Sequence, residues 1–140
     1  GKYWNVILHR DNQAYLGRCI IYLKSRLTDD LLSLTKDERT ELWGYIMPRL
    51  VAALKEAFQP DRINYSHLAN TVNHVHWHII PRYEKNPERV FAGVTFSDER
   101  VGVHYAPVPE KEVSKTIMKK IYITLKKSFH KNPLNHEIFK

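Results

Sequence analysis

Hydrophobic and polar positions along this chain follow two different periods, and each change of period marks a change of element. Trp4-Asn-Val-Ile-Leu-His9 and Arg18-Cys-Ile-Ile-Tyr-Leu23 are short runs rich in β-branched and aromatic residues, and both read as strands. His9-Arg-Asp-Asn12 between them is polar and turn-like, so the pair predicts a hairpin with an irregular connection. Leu27 to Leu34 reads as a loop or a helical turn. From Thr35 the period lengthens: Leu42, Trp43, Ile46, Met47, Leu50, Val51, Leu54 and Phe58 form the stripe of a core-facing helix over 36–58. Thr35-Lys-Asp-Glu38 ahead of it is a capping-box pattern. Pro48 lacks an N–H and its ring crowds the carbonyl of Gly44, which predicts a kink or a junction of two helices.

After Pro60-Asp61 the period returns to two. Ile63 to His67 predicts a strand, Leu68 to Asn70 a tight connection, and Val72 to Pro81 a stronger, central strand with Val75, Trp77 and Ile79 buried. Residues 82–107 look irregular. Ile117, Met118, Ile121, Tyr122, Leu125 and Phe129 return at helical spacing within 109–131, with Lys115, Lys119, Lys120, Lys126 and Lys127 largely on the other faces. The tail, 132–140, is expected to be loose. The 140 residues fit one domain, 1–140, able to bury a modest core.

Composition narrows the class. No apolar run approaches the roughly 18 residues of a membrane helix. The first 20 residues carry no signal-peptide pattern, because Arg10 and Asp11 follow at once on a short apolar run. Cys19 is the single cysteine and has Leu16, Ile20, Ile21 and Tyr22 as neighbours. It reads as a core thiol in a reducing compartment. These features predict a soluble, cytoplasmic protein without a membrane partner. The net charge of +7 suits anionic partners such as nucleotides or nucleic acid, and serves equally as general solubility charge.

The chemistry concentrates in Asn73-His-Val-His-Trp-His-Ile-Ile-Pro-Arg82. In a strand, His74, His76 and His78 share one face and Val75, Trp77 and Ile79 the other. Successive imidazoles then stand roughly 6.5–7 Å apart, forming a row about as long as a short polyphosphate. Neutral imidazole offers a bare nitrogen that can attack phosphorus. Protonated imidazole donates to phosphate oxygens and can protonate a leaving group. Two plainer readings compete: a solvated polar strand face, and a zinc site, for which the sequence supplies no second ligand motif. An affinity tag is excluded by the internal position and the interleaved apolar residues.

His74-Val-His76-Trp-His78-Ile-Ile80 resembles the His-φ-His-φ-His-φ-φ signature of the histidine triad (HIT) family, where φ is apolar. Pro81-Arg82, the glycine-initiated Leu16-Gly-Arg-Cys-Ile-Ile-Tyr-Leu-Lys24 and the lead-in Asp30 to Glu38 extend the resemblance over roughly 4–105. The C-terminal helix, 109–131, is a basic extension to that core. The resemblance implies an α+β fold: an antiparallel sheet of about five strands with one long helix and a C-terminal helix packed on it. It implies a homodimer, no cofactor and no metal held by the triad. It further implies transfer or hydrolysis of nucleoside monophosphate groups from dinucleoside polyphosphates, phosphoramidates or nucleotide sugars. In that pattern His76 is the nucleophile, forming a nucleotidyl-histidine intermediate; His78 is a donor to phosphate or leaving group, and His74 orients His76. Asn70 and Thr71 fall where members place an amide and a hydroxyl near the phosphates.

Two departures stand out. His9 occupies the end of the first strand, where members often carry an Asn that contacts ribose. Asn64 to Asn73 is shorter than the Gly-rich loop of better-known members. His67 and His104 read as structural or surface imidazoles. Two other function classes stay open. One is a nucleotide-binding module with little catalysis. The other is removal of adenylate from nucleic-acid ends, for which the chain lacks zinc-finger spacing. Five lysines on the last helix would bind nucleic acid only weakly and in a salt-sensitive way, so a solvated helix face is preferred.

Overall fold

The computed structural model describes residues 1–9 and 12–131. Arg10 and Asp11 of the expected turn, and the expected loose tail, lie outside the described residues. Strands β1 (Trp4–Leu8), β2 (Cys19–Leu23), β3 (Arg62–Ser66) and β4 (His76–Arg82) form one antiparallel sheet in the order β1-β2-β4-β3. Strands β5 (Glu88–Phe91) and β6 (Val94–Ser97) form a separate antiparallel pair. The expected sheet of about five strands is thus realised as four plus a hairpin. That hairpin corrects the expectation that 82–107 is irregular. Its turn, Ala92-Gly93, takes φ of 51° and 81°, the left-handed backbone that two-residue hairpin turns use.

The β1–β2 connection is held by one buried side chain. Gln13 donates from Nε2 to the carbonyls of His9 (2.6 Å) and Arg18 (2.9 Å), and its Oε1 accepts from the Gly17 N–H at 3.1 Å. Gly17 enters β2 with φ of 85°, and a Cβ there would fall 2.7 Å from Phe58 Cδ2. Both the dihedral and the close approach therefore require glycine.

The alternating strand pattern buries one face of the sheet under the helices. Trp4, Leu8, Cys19, Ile21, Leu23 and Ile79 meet Leu42, Ile46, Leu50 and Leu54 in a single core. The four helix residues are the ones the stripe predicted. The Cys19 thiol is fully buried, and burial pushes its pKa up to about 12, as befits a core thiol. The main helix is interrupted where Pro48 predicted. α1 (Lys36–Glu41) passes through a π turn (Leu42–Ile46) into α2 (Met47–Phe58). Pro48 lies in the first turn of α2, where its missing N–H costs least. Trp43, expected in the stripe, is half exposed and meets Trp77 edge-on, with ring centroids 5.3 Å apart. α3 (Lys115–Lys131) starts later than the expected 109 and packs on α2, burying Ile121.

The capping box forms as predicted. The Glu38 N–H donates to Thr35 Oγ1 (3.2 Å), and Glu38 Oε2 accepts from the Thr35 N–H (2.8 Å). Glu38 does more than cap. It is buried, pairs with Arg26 at 3.0 Å and accepts from Ser25 Oγ at 2.7 Å. Arg26 above all holds its carboxyl down at about 2; burial, the next largest effect, opposes it, and the Thr35 amide and Ser25 add to the lowering.

A carboxyl lowered in the folded chain stabilises it above the ordinary value of 4.5, and that stability is lost as pH falls toward about 2. Glu38→Ala should cost about 1.5–3 kcal/mol at pH 7 in denaturant titrations. Glu38→Gln should lose less stability than wild type between pH 4.5 and about 2. Equal acid sensitivity in the two proteins would contradict this assignment.

Candidate active site

The second face of the sheet carries the histidines. Register places Tyr22 opposite His76, and both Ile20 and Ser66 opposite His78. β4 is bonded on both edges, so neither imidazole can slip to the other face without breaking two ladders.

His74 does not continue the strand, which corrects the expectation of a strand from Val72. Register continues past Tyr22–His76 to oppose Leu23 and Val75. Such a pair ordinarily exchanges two hydrogen bonds. Only one forms, from the Leu23 N–H to the Val75 carbonyl at 3.1 Å. The Val75 N–H turns away to Thr28 O (2.7 Å), and the His74 N–H closes a tight turn on Val72 O (2.8 Å). The vacated Leu23 carbonyl is taken by the His74 ring, Nε2 donating at 2.5 Å. The shared face of three histidines is therefore a shared face of two, with the third folded over the strand's start.

That fold places the His74 carbonyl 2.7 Å from Nδ1 of His76. A carbonyl only accepts, so Nδ1 carries the proton. In the neutral ring Nε2 is then bare and able to act as a nucleophile. The His76 and His78 rings stand edge to face, centroids 5.0 Å apart. Nδ1 of His78 is buried without a hydrogen-bond partner. Burial first, then the positive charge of Arg18 and the neighbouring His76 and His9, pull the His78 pKa down to about 4.

His9, Asn70, Thr71, His74, His76 and His78, the six residues singled out from sequence, all line one cleft of about 550 Å³. Ile20, Tyr22, Leu68, Ala69 and Val72 complete it and were not foreseen. The first two could have been found by counting β2 alternation from Gly17, which puts Ile20 and Tyr22 on the face opposite Cys19 and Ile21. His67 lies just outside the cleft, its ring 6.4 Å from His76 and 5.3 Å from Trp77. His104 is remote: it stacks on Tyr105 and lines a different cleft beside Arg62 and Asn64. Among the described residues no three His, Cys, Asp or Glu side chains are arranged to hold a metal ion. No helix among them is long and apolar enough to cross a membrane.

Comparison with known proteins agrees with this architecture. A family model described as the HIT domain matches residues 5–85. Among solved structures, a histidine triad protein from Marinobacter aquaeolei superposes with a TM-score of 0.72 at 17% identity, over 93% of this chain and 85% of that one. A histidine triad protein from Sinorhizobium meliloti gives 0.70 at 16%, over 91% and 84%. A hypothetical histidine triad nucleotide-binding protein from Sulfolobus tokodaii gives 0.66 at 18%, over 94% and 80%. At these identities the likeness is one of fold. No curated protein matches the sequence significantly.

His78 provides the test of the site's electrostatics. A histidine whose pKa is lowered stays neutral in the folded chain while the unfolded chain takes up a proton. This group therefore costs stability as pH falls from 6.5 toward 4. NMR titration should give His78 a midpoint near 4, and His78→Asn should flatten that part of the stability curve. A midpoint at or above 6.5 would contradict the burial seen here.

Proposed function

This chain belongs to the HIT domain family, and on that premise we propose that it transfers or hydrolyses nucleoside monophosphate groups through a nucleotidyl intermediate on His76. The observation that carries the reading is the Nδ1–H of His76 held by the His74 carbonyl, which leaves Nε2 bare inside a nucleotide-sized cleft. Nε2 attacks the α-phosphorus. A P–N bond forms as the bond to the leaving group breaks, and the leaving group departs with the electron pair. Water then attacks the same phosphorus and the imidazole leaves with its pair restored. Two displacements replace one harder one.

The other residues take roles that fit their positions. His74 locks the tautomer. His78, neutral near pH 7 in the empty cleft, donates its N–H to a phosphate oxygen. A bound anion stabilises its protonated form, which enables it to protonate the leaving group. Asn70 and Thr71, both exposed on the loop before β4, serve the phosphates, and His9 the ribose. Tyr22, Leu68 and Val72 offer apolar surface for a base. The reading treats 1–140 as one domain and, from the family resemblance, includes a cytoplasmic homodimer.

Diadenosine tetraphosphate and adenosine phosphoramidate are the substrates to assay. His76→Ala should lower kcat by roughly 10⁴-fold or more with the circular dichroism unchanged, because this half-buried ring supports no core. His78→Asn should cost roughly 10²–10⁴-fold. Rapid quench into alkaline denaturant should trap labelled AMP on wild type, stable in base and lost in acid, and none on His76→Ala. Near wild-type turnover by His76→Ala would end the nucleophile assignment. Nucleotide binding without turnover in wild type would favour a binding module.

A further inference from the structure

Two arginines are buried in this sheet, and their surroundings differ. Arg82, 6% exposed, is fully engaged. Its Nε donates to Asp98 Oδ2 at 2.8 Å, and its remaining nitrogens reach Asp98, Asn64 and the carbonyls of Arg100 and Val103. Arg18 is equally buried, also 6% exposed, yet no carboxylate pairs with it among the described residues and its Nε has no hydrogen-bond partner. Two tyrosines, Tyr105 and Tyr15, act on its charge, and both hydroxyls are engaged elsewhere. The Tyr15 hydroxyl donates to Tyr105 O at 2.7 Å, and the Tyr105 hydroxyl to Ser66 Oγ at 3.2 Å. Neither supplies a countercharge. A buried cation without an anion is costly, and burial pulls the Arg18 guanidinium below its ordinary pKa.

Its place just before β2 brings it beside the cleft. Leu8 pairs with Cys19, and the ladder continues with the His9 N–H donating to Arg18 O at 3.0 Å. Ile20 pairs with His78, so Arg18, two residues earlier on the same strand face, lies diagonally beside His78. Diagonal neighbours sit roughly 7–8 Å apart, well within the reach of an arginine. His9 and His78 both line the cleft, so Arg18 neighbours two of its lining residues, and its positive charge is felt at His78.

We propose that Arg18 is the fixed cation of this cleft, a buried arginine beside His78 whose field draws in phosphate charge and selects anionic nucleotides over neutral nucleosides. The inference rests on the reading of the cleft as a nucleotide site, and it assigns that site's phosphate affinity to a residue outside the histidine motif. Arg18 acts as a positioning residue. Second to burial, it lowers the His78 pKa, and its field favours an anion beside that ring. Its backbone contacts to Gln13 and His9 do not depend on its side chain.

The test is binding by calorimetry of AMP, inorganic pyrophosphate and adenosine to wild type, Arg18→Met and Arg18→Lys, each checked for an unchanged melting profile. Arg18→Met should weaken AMP and pyrophosphate at least about tenfold, about 1.4 kcal/mol, and leave adenosine within about twofold. Arg18→Lys should recover most of the loss. The NMR midpoint of His78 in the empty protein should rise in Arg18→Met and stay near wild type in Arg18→Lys, a change that a merely structural arginine would not produce. Equal weakening of AMP and adenosine, unchanged AMP and pyrophosphate affinity, or wild type that binds neither anion would each overturn the inference. Turnover is measured separately, so wild type that binds AMP through Arg18 but hydrolyses nothing would overturn the proposed reaction and leave this inference standing.

Discussion

The register of β4 is the constraint on which the rest of the molecule depends. It is paired on one side with β2 and on the other with β3, and each pairing fixes which residues share a face. One face of this strand and its neighbour supplies Ile79, Ile21 and Cys19 to the core beneath α2. The other supplies His76 and His78 to the cleft, against Tyr22 and Ile20. A slip of one residue would place imidazoles in the core and isoleucines in the cleft. Burial of the apolar face therefore holds the chemistry in place.

At its start, β4 gives up a regular hydrogen bond and gains one that fixes the His76 ring. Had Val75 bonded Leu23 in both directions, His74 would have run on as strand. Instead Thr28 takes the Val75 N–H, the His74 ring takes the Leu23 carbonyl, and the His74 carbonyl is turned onto His76. The backbone is fully satisfied by this exchange, as burial demands. Its outcome is one imidazole held in a single tautomer. The buried charges divide in a related way. Glu38 and Arg82 are surrounded by partners and serve the fold, whereas no carboxylate among the described residues pairs with Arg18.

Much of this was legible in the sequence because periodicity reports burial. Leu42, Ile46, Leu50 and Leu54, the break at Pro48 and the cap at Thr35 all appear where period and chemistry put them. The six candidate residues were legible because the triad's spacing resembles a family pattern, and all six line one cleft. Three features were not. The β5–β6 hairpin has strands of four residues, too short for alternation to rise above noise, and only Ala92-Gly93 marks its turn. The turn at His74 depends on Thr28, distant in sequence. Arg18 read as part of a strand, with no signal that its charge is buried, since arginine is ordinarily exposed.

In the proposed reaction the backbone presets His76 as a nucleophile before any substrate arrives. The most direct measurement is the tautomer of that ring, read from ¹⁵N shifts and long-range ¹H–¹⁵N couplings in histidine-labelled protein near pH 7.5. His76 should carry its proton on Nδ1 and leave Nε2 bare without added nucleotide. A proton on Nε2 with Nδ1 bare, or a rapid average of the two tautomers, would contradict it.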